Sequence, residues 1–165
     1  MEKKNLLEID LKEYIEKKNN LSYVSWANAW KVAIENDENA EWSVDLYDGK
    51  PYLYDENLGY MVSTKVTLGG KTIPMQLPVM DGANKAQKST RYSYFVKNYQ
   101  DPTKPIEKFV EPATMFDINT AIMRCLVKNL AMFGIGLYIY AGEDLLNGDN
   151  HETLTNNQSN STRRI

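Results

Sequence analysis

Histidine and cysteine are almost missing from this chain: His151 and Cys125 are the only examples in 165 residues. One imidazole and one thiol cannot assemble a His/Cys zinc site or a Ser-His-Asp triad, which removes both enzyme classes. A single cysteine forms no intrachain disulfide, and that suits a reducing compartment. No apolar run approaches the roughly 20 residues of a membrane span, and the start, MEKKNLLEIDLKEY, has no uninterrupted apolar h-region. These absences predict a cytoplasmic protein with no membrane partner. A phosphate-binding loop is missing too. Gly70, Lys71 and Thr72 mimic the end of one, but Lys65 stands where the motif needs glycine and the context is a hairpin.

Net positive charge is also lacking, since the formal charge is −3, but its distribution says more than its sum. Residues 1–57 hold 13 acidic and 7 basic residues, whereas residues 82–100 hold Lys85, Lys88, Arg91 and Lys97 and no acid. One segment is locally cationic on an acidic protein.

The length fits one domain that folds without a covalent staple. Leu7, Leu11, Tyr14 and Ile15 fall at helical spacing in Leu6–Lys18, which predicts a short amphipathic helix stopped by Lys18-Asn19-Asn20. Ser25 caps a second predicted helix, WANAWKVAIEN, with Trp26, Ala29, Trp30, Ala33 and Ile34 on one stripe. Core packing is the expected role of those tryptophans, ahead of base stacking.

From Trp42 the period changes to two. WSVDLY, an Asp48-Gly49 turn and PYLY open a meander, and Gly69-Gly70 joins the alternating runs Tyr60–Leu68 and Ile73–Val79. A two-residue loop there pairs Val66 with Ile73 and Val62 with Leu77. Pro74 and Pro78 then turn their missing N–H groups away from the partner, so this strand should be an edge. About thirty residues after Asp81-Gly82 show little period, and are expected to be a functional excursion or partly helical. A long helix follows, with Asp117 as N-cap and Gly134 and Gly136 as its stop. The expected fold class is α+β, an antiparallel β-meander packed on a long helix with N-terminal flanking helices. Residues 147–165 are too polar to fold and are expected to be a disordered tail.

Two features carry possible binding chemistry. In KAQKSTRYSYFVKNYQ, Lys85, Lys88, Arg91 and Lys97 alternate with Tyr92, Tyr94, Phe95 and Tyr99, the mixture of charge and aromatic faces that single-stranded nucleic acid requires. The competing reading is a solvated loop whose aromatics tuck back onto the sheet. In the long helix, Ile118, Ile122, Cys125, Leu126, Leu130 and Phe133 form a core stripe, while Arg124, Lys128 and Ala131 share another face. Those cations snorkel to solvent, pair with Asp or Glu, or await an anionic ligand. Asp45, Asp48, Asp55 and Asp81 are turn carboxylates, more consistent with solvated surface than with a two-metal nuclease, so no metal or cofactor is expected.

Three blocks in this order, YVSWANAW (23–30), LPVMDGANKA (77–86) and INTAIMRCLVKNLAMFGIGLYIYAGEDL (118–145), resemble the phage single-strand annealing proteins of the Sak type. More distantly, EWSVDLY (41–47) and the cationic helix ending in Phe133-Gly134 are similar to the ring-forming Rad-type annealing protein of eukaryotes. The resemblance implies a β-β-β-α core over residues 1–146 that binds single-stranded DNA and anneals complementary strands without ATP in phage recombination. It implies a homo-oligomeric ring, and a phage or host recombination protein as a further partner. It places Lys128 and Arg124 against DNA, with Lys85 as a third contact. Lys88, Arg91, Tyr92, Tyr94 and Lys97 join the candidate DNA-binding set on composition.

Overall fold

A computed structural model describes residues 5–18 and 21–141. The expected polar tail with His151, and residues 142–146 of the expected domain, lie outside the described residues. In chain order the elements are β1 (Ile15–Lys18), β2 (Leu21–Val24), α1 (Trp26–Asn36), β3 (Glu41–Val44), β4 (Leu53–Asp55), β5 (Gly59–Leu68), β6 (Lys71–Pro78), β7 (Tyr92–Val96), β8 (Ile106–Val110), α2 (Met115–Ala131) and α3 (Leu137–Tyr140). The class is α+β, as expected: an antiparallel sheet with α2 lying on one face.

The central strand is β5. Met61 pairs with Leu53 on one side and Pro78 on the other, so β6 runs along one edge of β5 while β4 and β3 follow each other along the opposite edge. Strands β3 and β4 are thus two halves of one lane. Between them the chain loops out through a tight turn at Asp48 and Gly49, both at positive φ, closed by Tyr47 and Lys50. The predicted hairpin register is the observed one, with Val66 opposite Ile73 and Val62 opposite Leu77. Gly69 and Gly70 both have positive φ, as a two-residue hairpin turn demands. Counting from that turn, Pro74 and Pro78 occupy non-hydrogen-bonded pairs, and β5 is the only partner of β6 among the described strands. The edge assignment holds.

One face of the sheet carries Val62, Thr64, Val66, Ile73, Met75 and Leu77, and α2 covers it. Ile118, Ala121, Ile122 and Cys125 pack with Val62, Leu77 and Val79, while Leu126, Val127, Leu130 and Ile135 join Val66, Leu68 and the α1 residues Ala29, Val32 and Ala33. A buried polar clasp fixes the helix height. Asn129 Nδ2 donates to the carbonyl of Ile73 (3.0 Å) and to the carbonyl and hydroxyl oxygens of Thr64, so one amide ties α2 to both strands of the hairpin. Thr64 Oγ1 also lies 3.3 Å from Cys125 Sγ, and burial pushes that thiol above its ordinary pKa.

Four expectations need correction. Leu6–Lys18 is not a helix but two 3₁₀ turns, Leu6–Glu8 and Lys12–Tyr14, running into β1. Asn5 and Asp10 side chains accept from the amides of Leu7 and Lys12, local bonds that compete with helix formation, and a segment this short gains more from docking. Leu11 is fully buried against the end of α2, and its amide donates to Tyr138 Oη at 3.0 Å. The excursion after Gly82 is not helical but the hairpin β7–β8, with Tyr92 opposite Val110 and Val96 opposite Ile106. The N-cap of α2 is Thr114, and Asp117 answers from the third helical position in a capping box. Ala131 is buried, so it does not share an exposed face with Arg124 and Lys128.

Candidate nucleic-acid interface

The cationic face of α2 is built by its own periodicity. Asn119, Met123 and Val127 form one i, i+4 row, and Thr120, Arg124 and Lys128 form the adjacent one, on the flank of the helix that the sheet leaves uncovered. These six side chains make one wall of a groove of about 520 Å³. The opposite wall comes from Tyr23, Val24, Ser25 and Trp26, where β2 passes into α1, with Leu77, Met80, Asn84 and Tyr140 completing the lining.

The sequence folds that opposite wall by capping. Ser25 Oγ accepts from the amide of Asn28 at 3.3 Å, which starts α1 abruptly and holds Trp26 at its first helical position. Trp26 is 48% exposed, so the core-packing expectation fails for it, whereas Trp30 and Trp42 do pack partly buried against the core. Asn84 is set by a tight loop. Asp81 Oδ1 accepts from the amides of Ala83 and Lys85, both at 2.9 Å, and Asn84 takes a positive φ that asparagine tolerates.

Among the described residues, no acid lines the groove. Arg124 and Lys128 are half-buried, and among the described residues neither has a carboxylate partner; Arg124 instead lies over the ring of Tyr23, 5.6 Å from its centroid. The nearest acid on the small adjoining niche is Asp117, whose carboxylate is already bonded to the amide and hydroxyl of Thr114. Two like charges one helical turn apart thus stand beside an aromatic wall with no counterion among the described residues. Such a surface attracts an anion with a flat apolar part.

The remaining predicted residues belong to the hairpin and the turn before it, apart from this lining. Lys85, Lys88 and Lys97 lie over the rings of Tyr94, Tyr92 and Tyr99 at 4.8, 5.0 and 5.2 Å. Arg91 is committed to Glu111 at 2.8 Å and to the ring of Phe109 at 3.9 Å. Tyr92 donates its hydroxyl to the carbonyl of Ala86, and burial raises its pKa. Tyr92 and Tyr94 are half-buried; Phe95 and Tyr99 are the open aromatics of this segment. Two of the turn carboxylates are likewise engaged. Asp45 pairs with Lys65 at 2.8 Å, and Asp55 accepts from the amides of Asn57 and Leu58.

Sequence reasoning missed Tyr23, Trp26, Asn84, Asn119, Thr120 and Tyr140. A signal existed for two of them: extending the Arg124–Lys128 row one turn backward reaches Thr120, and its neighbouring row begins at Asn119. The others converge from separate elements, which no spacing in the chain discloses.

No curated protein and no solved structure matches the chain. Against protein families, the model of the Sak Single Strand Annealing Protein family matches residues 3–165, nearly its full length. With the groove and the α+β core both in place behind that match, the chain belongs to the Sak single-strand annealing protein family.

Proposed function

We propose that this protein binds single-stranded DNA through the Arg124–Lys128 groove and anneals complementary strands without ATP, as a cytoplasmic homo-oligomeric ring serving phage homologous recombination. Family membership carries the general activity, single-strand annealing. The observation that supports the site is the pair of half-buried cations in a groove with no acid in its lining among the described residues. Phosphates supply the missing counterions there, and their neutralisation lets two polyanionic strands approach.

Contacts of this kind track the backbone and carry no sequence information, which leaves most base edges free to pair. Base pairing itself supplies the free energy, so no catalytic residue or cofactor is required. Lys85, Lys88 and Lys97, which have ring but no carboxylate partners among the described residues, extend the cationic surface, whereas Arg91, ion-paired with Glu111, and Tyr92 and Tyr94, under the lysines, serve chiefly to brace it. A ring multiplies a few cations per subunit into a continuous track on an otherwise acidic protein. A phage or host recombination protein is the expected further partner.

The test is annealing of two complementary oligonucleotides followed by fluorescence quenching, with chelator present and nucleotide omitted. Accelerated annealing with full-length strands recovered is the expected result. Strand shortening that depends on a metal would favour a nuclease, and coating without acceleration would favour passive protection. Light scattering on the same samples tests the assembly; a strict monomer with and without DNA would rule out the ring.

A further inference from the structure

The groove is larger and more apolar than phosphate contacts require. About 520 Å³ lies within the range of roughly 300–1,000 Å³ typical of clefts that enclose a small organic ligand, and such clefts combine apolar walls with a few placed polar groups. Here the apolar part is Tyr23, Trp26, Met80 and Met123. The polar part includes Asn84, Asn119 and Thr120, whose side chains have no hydrogen-bond partner among the described residues. A phosphate bound by Arg124 and Lys128 would use none of these.

We infer that the groove takes in one nucleobase of the bound strand, stacked on the Trp26 indole, while Arg124 and Lys128 hold its flanking phosphates. The inference rests on the proposed function and adds a base-binding subsite to it. Three observations carry it together. Trp26 lines the groove and keeps nearly half its surface open although it begins a helix that buries Ala29, Val32 and Ala33. Among the described residues the charge of the groove is cationic only, which favours an anionic ligand over a peptide's mixed charge. The unpartnered amide and hydroxyl groups offer both donors and acceptors to a base edge, the arrangement used where unstacked bases are recognised in single strands.

The size of the groove sets a limit. It cannot enclose a run of bases, so each subunit would anchor one nucleotide and leave its neighbours outside, available for pairing. Strand grip and strand pairing then fall to different nucleotides of the same bound strand.

The experiment compares an ordinary oligonucleotide with one of equal length made of abasic units, using the full chain and Trp26→Ala, Trp26→Phe and the Arg124→Ala/Lys128→Ala double variant. The wild type should prefer the ordinary strand by at least about fivefold, the lower end of what aromatic–base stacking contributes. Trp26→Ala should lose that preference while still binding both strands, and Trp26→Phe should keep most of it. Equal binding of the two strands by wild type would overturn the base subsite, as would a preference that survives Trp26→Ala. If the double variant still weakens both strands in that case, the phosphate-binding reading stands without the subsite. A double variant that binds both strands as wild type does would remove the groove from DNA binding, and both readings with it.

Discussion

Replacing Arg124 and Lys128 together by alanine tests the groove through its salt dependence. Each phosphate neutralised on a single strand adds about 0.7 to the slope of log affinity against log salt, so two contacts per subunit add about 1.4. Over a fourfold rise in salt, from about 50 to 200 mM, wild type should lose about sevenfold more affinity than the double variant for each subunit engaged. Fluorescence anisotropy with a labelled oligonucleotide reads both slopes, and thermal melts confirm that the variants are folded. The folds should be intact, because neither cation has a carboxylate partner among the described residues to orphan. Arg91→Ala is the internal control. Its guanidinium is already neutralised by Glu111 at 2.8 Å, so its slope should stay near that of wild type. Parallel salt lines for wild type and the double variant would refute the assignment, whatever their offset, since an offset alone can arise from altered packing.

Two further predictions concern the scaffold beneath the groove. Asn129→Ala should destabilise the fold by about 2–4 kcal/mol in denaturant unfolding, because it opens a cavity and strips the Thr64 and Ile73 oxygens of a buried donor; a loss under 1 kcal/mol would mean the clasp is incidental. Gly59 and Gly70 both have positive φ, but a Cβ on Gly59 would lie 2.6 Å from the Gln87 carbonyl oxygen, whereas one on Gly70 meets open space. Gly70→Ala should therefore cost about 1 kcal/mol from backbone strain alone and Gly59→Ala clearly more, and equal melting temperatures for the two would refute the steric argument.

What the sequence disclosed follows from which forces are local. The Gly-Gly hairpin was readable to the residue because turn type fixes register and register fixes which prolines lose nothing. Ser25 and WANAWKVAIEN gave α1 with its bounds, since cap chemistry and periodicity agree there. Leu6–Lys18 misled because its helical spacing is real but is spent on docking: Leu7 lies against Gly134 and Leu11 against Gly136, contacts more than a hundred residues apart in the chain. The hairpin β7–β8 carried a legible signal, two short alternating runs, YSYFV and IEKFV, around a loop rich in Asp101, Pro102 and Lys104 turn chemistry, which the density of charge obscured. Of the candidate site, the helical half was visible and the β2–α1 half was not. Trp26 resembles a core residue by spacing, and only the position of α2 beside it shows that its outer side stays open.

The placement of Arg124 and Lys128 on a helix otherwise devoted to the core has a physical rationale in that geometry. Like charges at i, i+4 on one helix repel by tenths of a kcal/mol, and half-burial removes part of the water that would screen them. Two features of the fold hold them in this state. The Asn129 clasp and the stripe from Ile118 to Leu130 fix α2 to the sheet, and the helix itself keeps the two cations one turn apart. Both are half-buried in the groove and Arg124 lies over the Tyr23 ring, which favours keeping them there over extending into solvent. The arrangement is therefore unfavourable in the free protein and relieved by a polyanion, with little conformational entropy left to lose when one binds. A pair of lysines on a mobile loop would offer the same charge but would have to be ordered at each encounter. On the proposed function, in which the protein grips the backbone while leaving bases to find their complements, a rigid cationic edge on the core helix suits the task better, and it accounts for charge within the most apolar stretch of the chain.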